Sequence, residues 1–439
     1  MDTNKLQITY KGQTIVDASI DNELTKTIKT SGKYCEGDII VSAKGGSGGG
    51  FVEERDWGVN FYDFDGSLLA SWAPEEAMAA TALPPNPDHS SDITWGGKTI
   101  PLTAMGWNWT LAEIQHYIST YAEQEPRIDV GQQYDTNGKI YLEIDNTRSV
   151  KGLSLRFTFT GTCTIDWGDG TTSTATSNAH NDHTYTDYGR YLITITPSSG
   201  AITLTMASNS PYLLRDTEHG TTFSNAKILK GIYLSAGCGY TNYCLSQYGC
   251  IGRIVLAYSA TQLYNNMSRT TEFTATVIIP RTTTKANSNG NILGGSKVII
   301  HPLFVRDAID TASNATQFFT DGNNYFYPEA TKNPGYAGQK TRRMLLCEGN
   351  EHTPQINVAQ SYMEYLILPS TITTICKMPF TALEYLKFKS ITPPTCADST
   401  YMGSLPTYCR ILVPRGTLNA YKTATNYPNP TTYTYEEYD

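Results

Sequence analysis

The sequence predicts a multidomain, mainly β protein. A small N-terminal β module comes first, then an α+β spacer, a β-sandwich and a long C-terminal β solenoid. Three observations carry this. An apolar triplet recurs about every 22 residues through the last two hundred positions. A Gly/Ser run, Gly45 to Gly50, isolates the first 44 residues. Between them lie short alternating strands and two helix signatures.

The triplets are Ile232-Tyr233-Leu234, Ile254-Val255-Leu256, Val277-Ile278-Ile279, Val298-Ile299-Ile300, Met344-Leu345-Leu346, Leu366-Ile367-Leu368, Leu386-Lys387-Phe388 and Ile411-Leu412-Val413. Their first residues are spaced 22, 23, 21, 46, 22, 20 and 25 apart, and 46 reads as two periods with one rung lost or replaced. A repeat of this length is the signature of a solenoid, in which each unit buries its apolar face by stacking on its neighbours.

Bulk properties set the frame. At 439 residues the chain is too long for one core, so two to four domains are expected. Apolar content of 39% and a net charge of -8 argue against nucleic-acid and anionic-membrane partners. No apolar run approaches the ~20 residues of a membrane span, so no membrane insertion is expected. The start, Met1-Asp2-Thr3-Asn4-Lys5, lacks the basic-then-apolar pattern of a signal peptide, so entry into the Sec pathway is not expected. Nine cysteines, an odd number with no CxxC pair, read as reduced and mostly buried thiols. Cys238, Cys244 and Cys250 fall at six-residue intervals, but small apolar residues in a repeat loop explain them better than a metal site. No metal and no cofactor are expected. Thirty tyrosines are the more telling excess, since Tyr offers a rigid face and a hydroxyl at little entropic cost.

Residues 1–44 hold strand candidates at Leu6-Gln7-Ile8-Thr9-Tyr10 and Asp38-Ile39-Ile40-Val41, a module suited to anchoring; residues 45–50 are a flexible linker. In the spacer, 51–145, Val59 to Asp63 is a strand and Pro74 with Glu75 and Glu76 opens a short helix. Thr110-Leu111-Ala112-Glu113 is a capping box for a helix to about Tyr121, with Leu111, Ile114, Tyr117 and Ile118 on one side. Gly106-Trp107-Asn108-Trp109 is read as the aromatic anchor of that core. Residues 146–206 read as a β-sandwich, in which short alternating strands, Leu153-Leu155-Phe157-Phe159 and Tyr191-Ile193-Ile195, flank turns rich in Gly, Asp, Ser and Thr. The solenoid occupies 207–439, with rungs from about 226 to 423. An insertion near 302–340 carries a helical stretch, Phe304 to Phe318, and a loop, Asp321-Gly322-Asn323-Asn324.

Two motifs invite chemistry. Phe61-Tyr62-Asp63-Phe64-Asp65-Gly66-Ser67 resembles the first motif of haloacid-dehalogenase-type phosphotransferases, where one Asp attacks phosphorus and the second handles a proton. That chemistry also needs a later carboxylate pair to hold Mg²⁺ and a doubly wound parallel sheet, and the next hundred residues offer neither. A strand ending in an Asp-Gly turn is the simpler reading. Asp166-Trp167-Gly168-Asp169-Gly170-Thr171 with His183-Thr184-Tyr185 could imitate a metal or hydrolase site, yet no nucleophile stands in a recognisable context. Trp167 is expected in the core, Asp169-Gly170 in a tight turn.

That same segment, through Gly189-Arg190-Tyr191, resembles the PKD domain, an immunoglobulin-like sandwich used as a spacer or binding module. The triplets followed by a Pro or small residue and a Ser/Thr-rich turn, as in Leu366-Ile367-Leu368-Pro369-Ser370-Thr371, resemble BspA-type leucine-rich repeats. Ile411-Leu412-Val413-Pro414-Arg415-Gly416-Thr417-Leu418-Asn419-Ala420-Tyr421-Lys422 is similar to that family's capping segment. Gly32 to Val41 resembles a short N-terminal module of tail and fibre proteins from phages of Gram-positive hosts. Asn60 to Gly66, Gly106 to Glu113 and Asp129 to Tyr134 resemble a module that accompanies the other two.

These resemblances imply a structural protein of a tailed-phage or prophage virion: a tail or baseplate fibre, or receptor-binding protein, without catalysis. Such a protein is assembled in the host cytoplasm. Residues 1–44 would dock on other virion proteins, and the solenoid would contact a host-surface glycan or protein. Fibres are commonly oligomeric, so a homo-oligomer is expected. The candidate contacts are Tyr240, Tyr243 and Tyr248 between two rungs, and Tyr325 and Tyr327 on loops of the insertion. The alternatives are a capsid head fibre or decoration protein, and a bacterial surface adhesin.

Overall fold

A computed structural model describes residues 57–147, 151–198, 202–204, 214–216, 228–240, 251–263, 275–286, 298–303, 351–353, 364–377, 380–403 and 405–439. It also describes residues 52, 55 and 348, and the backbone of strands at 5–10, 13–19, 25–29, 38–42, 325–327 and 343–346. The chain is mainly β with few helices, and the parallel sheet at its C-terminal end forms a β solenoid of about five turns. It divides into two compact units, Met1–Glu53 and Glu54–Asp439. The first contains two antiparallel hairpins, Lys5–Tyr10 with Gln13–Ser19 and Thr25–Lys29 with Asp38–Ser42.

The second unit opens with β1 (Gly58–Tyr62), β2 (Leu68–Trp72) and helix α1 (Pro74–Ala79), followed by β3 (Thr103–Trp107), helix α2 (Leu111–Thr120) and β4 (Arg127–Asp135). The sheet order is β2-β1-β4-β3, with β4 parallel to β1 and antiparallel to β3. Both helices start where the sequence places them. Glu76 accepts from the Ala73 amide at 2.6 Å, and Thr110 and Glu113 form the reciprocal capping box at 3.3 and 2.8 Å. The helices cover one face of the sheet through Ile114, Tyr117, Ile118 and Ala77, packed on Val59, Phe61, Val130, Trp107 and Trp109.

β5 (Ile140–Asp145) then does two jobs. It pairs antiparallel with β7 (Arg190–Pro197), which also pairs with β6 (Cys163–Asp166), and on its other edge it pairs with the first solenoid rung, β8 (Leu229–Tyr233). β8 continues in parallel to β9 (Arg253–Val255), so one six-stranded sheet runs from the 163–197 strands into the solenoid. Trp167, Tyr185, Leu153, Leu155, Phe157, Ile193 and Ile195 are buried in a single core with the inward residues of the first rungs.

Two more rungs follow, β10 (Val277–Ile278) and β11 (Val298–Ile299). In these four rungs the apolar triplet has two destinations. Its outer members (Ile232 and Leu234, Ile254 and Leu256, Val277 and Ile279) enter the main core. Its middle members (Tyr233, Val255, Ile278 and Ile299) enter a separate core with Tyr62, Phe64, Ile100, Leu102 and Tyr134 from residues 58–135. A strand buried on both faces reads as continuous apolar sequence, which explains why all three positions are hydrophobic here. In the distal rungs the middle residues Ile367, Lys387 and Leu412 are only partly buried, and a lysine is admitted. Stacking alone, expected to satisfy every triplet, therefore accounts for only one face of the first four.

The contact is close and polar as well as apolar. A Cβ on Gly131 would lie 2.4 Å from the Ile278 side chain, so only glycine lets β4 approach this rung. Asn108, fully buried, accepts from the Gly131 amide at 2.8 Å and donates to the Ile279 and Ile299 carbonyls at 3.2 and 3.3 Å. Trp109 donates to the Ile300 carbonyl at 2.8 Å, and Arg281 meets Glu113 in a bidentate pair at 2.7 and 2.8 Å.

The distal rungs are β12 (Tyr325–Tyr327), β13 (Arg343–Leu346), β14 (Tyr365–Leu368), β15 (Tyr385–Phe388) and β16 (Arg410–Pro414), all parallel. β12 fills the doubled 46-residue interval, so the rung is replaced rather than lost. The stretch Phe304 to Phe318 and the loop Asp321 to Asn324 lie outside the described residues, as does the 45–50 linker. Helix α3 (Leu418–Lys422) sits in the expected capping segment, with Tyr421 buried and donating to the Ser390 carbonyl at 2.7 Å. A strand that no triplet announced follows: β17 (Thr434–Tyr438) pairs in parallel with β16, and Tyr435 is buried beneath it.

Replacing Asn108 with Ala strands the Gly131 amide and removes two donors from buried carbonyls. Urea unfolding of the full chain is expected to show a loss of about 1–3 kcal/mol, the cost of the one stranded amide.

Candidate functional site

A cluster of ionisable groups forms where β1 ends. The backbone turns there as the Asp-Gly motif requires: Asp63 N donates to Ser67 O at 2.9 Å, Gly66 N donates to Asp63 O at 3.0 Å, and Gly66 has a φ of 87°. The turn directs the Asp63 carboxylate inward, where it is 3% exposed. Oδ1 accepts from the Tyr134 hydroxyl at 2.7 Å and the Phe64 amide at 2.8 Å, and Oδ2 faces His89 Nε2 at 2.6 Å. The other imidazole nitrogen, Nδ1, lies 2.9 Å from both oxygens of Asp92. Phe64 packs edge-on against the His89 and Tyr134 rings, each at 5.6 Å.

An imidazole held between two carboxylates is favoured as the cation. The hydrogen bond to Asp63 raises the His89 pKa to about 9, against the opposing effect of burial, with Asp92 adding to the rise. Burial, reinforced by the Asp63 charge, pushes the Tyr134 hydroxyl upward, so it stays a donor. Asp65 points away, exposed, with its carboxylate accepting from the Ser67 amide at 2.9 Å.

A phosphotransferase nucleophile needs a free carboxylate oxygen. Both oxygens of Asp63 are occupied, and among the described residues no group of three or more His, Cys, Asp or Glu side chains is arranged to hold a metal ion. The sheet carrying Asp63 is mixed, not doubly wound. What this cluster does is tie the irregular 80–93 segment to the tip of β1 through a buried ion pair. His89, Asp92 and Tyr134 had no periodic signal to mark them as partners of Asp63.

The second lure behaves similarly. Trp167 is buried, Asp169 accepts from the Thr171 amide and hydroxyl at 3.0 and 2.6 Å, and Gly170 has a φ of 94°. His183 stacks on Trp167 at 4.7 Å and reaches Asp169 at 2.8 Å.

Of the five candidate tyrosines, Tyr243 and Tyr248 lie outside the described residues. Tyr240 belongs to a two-residue strand, Gly239–Tyr240, paired in parallel with Ile202–Leu204, and Tyr325 and Tyr327 belong to β12. The expectation of loops is thus corrected at these three positions: the backbone is strand. Cys238 is a buried thiol outside any disulfide, while Cys244 and Cys250 lie outside the described residues.

A row with exposed ends, Tyr365 and Arg410, and a half-buried centre, Tyr385, lies instead on the outer face of the distal rungs. Tyr365, Tyr385 and Arg410 occupy paired positions on β14, β15 and β16. The two rings stack at 5.4 Å and 5°, the Arg410 guanidinium lies 5.2 Å from the Tyr385 ring, and Glu436 of β17 pairs with Arg410. Tyr365 is 42% exposed. The signal was present in the sequence as an aromatic residue immediately before two of the triplets. A small cavity of about 10 Å³, lined by Gln132, Tyr134, Val255, Tyr258 and Ile278, has room only for a water-sized molecule.

No protein-family model and no curated protein matches this chain.

The His89 ion pair has a definite pH signature. An unfolded imidazole titrates near 6.5 and the folded one at about 9, so the stabilisation is complete below pH 6.5 and is lost as pH rises to 9. Stability is expected to fall by up to about 1.4 kcal/mol per pH unit in that window. Comparing urea unfolding of the wild type and His89→Gln from pH 6 to 10 checks this, since the variant lacks that slope.

Proposed function

We propose that the chain is a non-catalytic structural protein of a tailed-phage virion, a tail or baseplate fibre that contacts the host surface through its distal solenoid rungs. In this reading residues 1–44 attach it to other virion proteins, 51–145 form a spacer, 146–206 a PKD-like sandwich and 207–439 a BspA-type repeat solenoid. The protein is assembled in the host cytoplasm as a homo-oligomer.

The observation that carries the reading is how the solenoid divides. The first four rungs have their outward side chains buried against residues 58–135. The distal rungs keep an exposed face bearing Tyr365, Tyr385 and Arg410, residue types that recognition surfaces accumulate. The buried Asp63–His89 pair supports the non-catalytic part, because it leaves neither group free for a substrate. No helix among the described residues is long and apolar enough to cross a membrane, which is compatible with a fibre. The resemblances read from the sequence, from Gly32–Val41 to the capping segment at 411–422, support the virion context.

Cryo-microscopy of the intact particle tests this. Density for the chain is expected at the tail tip or baseplate with the distal rungs outward. Density on the capsid would make it a head fibre or decoration protein, and a particle lacking the chain would overturn the virion reading. Purified full-length protein is further expected to block phage adsorption to host cells, and Tyr365→Ala/Tyr385→Ala to weaken that block about tenfold or more. Undiminished blocking by the variant would remove the contact from this face.

A further inference from the structure

Where β5 meets the first two solenoid rungs, three residues lie in one row across three strands. Glu143 on β5 pairs with Gly231 on β8, and Gly231 pairs with Arg253 on β9. The Glu143 side chain, fully buried, crosses over the glycine. Its Oε1 meets Arg253 Nη2 at 2.9 Å and accepts from the Tyr233 hydroxyl at 2.8 Å. The crossing depends on the missing side chain: a Cβ on Gly231 would stand 2.5 Å from Glu143 Oε2 and 2.6 Å from its carboxyl carbon. Arg253 is held from the far side by the Trp95 ring, 5.6 Å away, and Trp95 is itself fixed by a hydrogen bond to the Ile144 carbonyl at 3.0 Å.

We propose that Glu143, Gly231 and Arg253 form a register key that selects how the solenoid docks on the β5 edge. Hydrophobic patterning cannot make this selection alone. A one-residue slip turns every side chain to the wrong face, but a two-residue slip keeps each on its own face and leaves the apolar pattern satisfied. Such a slip would set Tyr233 or Leu229 opposite Glu143, where a side chain meets the carboxylate. It would also carry Arg253 out of reach, leaving a buried carboxylate without its cation. Glycine opposite the carboxylate and arginine one strand further are met together only in the observed register. The key therefore fixes the register at which the first two rungs leave the β5 edge.

A buried ion pair that specifies register need not add stability, since apolar replacement of both partners is often neutral or better. Hydrogen exchange read by mass spectrometry on full-length Glu143→Leu/Arg253→Met separates the two roles. The double variant is expected to keep a cooperative unfolding transition while the 140–145 and 229–234 segments show bimodal isotope envelopes or at least tenfold weaker protection. Wild-type protection and single envelopes would overturn the key. So would failure of the double variant to fold, because the pair would then be a stability element. Gly231→Ala, with both charges retained, is expected to lower the urea midpoint; an unchanged midpoint would likewise contradict the key.

Discussion

The first four solenoid rungs have two faces to bury, and the rest of the structure follows from that constraint. Hydrophobic burial is the dominant favourable contribution to folding, and a parallel strand can use it on both faces only when another layer covers the second one. Residues 58–135 supply that layer. The middle positions of the triplets, Tyr233, Val255, Ile278 and Ile299, share a core with Phe64, Tyr134 and Ile100, so what the repeat presents as a binding face is here an internal one. Residues 54–439 accordingly form one compact unit. A fragment beginning at 207 would expose this apolar face to water.

Polar groups give the joint its direction. Apolar contact is non-directional, whereas Asn108 can satisfy the Gly131 amide and two rung carbonyls in only one arrangement. Glu113 with Arg281, and Glu143 with Arg253, act at other points of the same seam. Burial raises the pKa of Glu143 while Arg253 and Tyr233 oppose the rise, as expected of a carboxylate enclosed with a single cation. The Asp63–His89 pair belongs with these ties: it resembles catalytic machinery in composition, and its geometry joins the end of β1 to the His89 segment through Oδ2 and to Tyr134 of β4 through Oδ1.

Much of this was legible in the residues. The triplet spacing located the parallel rungs, the doubled interval located a missing one, and Thr110 with Glu113 fixed the start of a helix. The difference between Val277-Ile278-Ile279 and Leu386-Lys387-Phe388 even contains the distinction between a rung covered by an apolar core and one met by an ion pair, Lys387 with Glu123, although periodicity alone does not reveal either partner. The last strand, Thr434–Tyr438, was hidden because its polar residues are used against the preceding rung: Glu436 pairs with Arg410, and Glu437 accepts from the amides of Gly416 and Leu418. Long-range partners such as His89 for Asp63 and Arg253 for Glu143 could not be read, since no local rule links residues 26 or 110 positions apart.

The central claim, that residues 58–135 close an apolar core over the second face of the proximal rungs, while on the distal rung β15 they meet Lys387 and Lys389 through the Glu123 carboxylate, is tested most directly by placing one substitution at equivalent positions on both kinds of rung. Ile278→Ser and Ile367→Ser change the middle residue of a triplet in each case. Urea unfolding should show a loss of about 3 kcal/mol or more for Ile278→Ser, because a polar group enters a closed core. For Ile367→Ser it should show about 1 kcal/mol or less, as for a partly exposed site. Equal losses at the two positions would contradict the account.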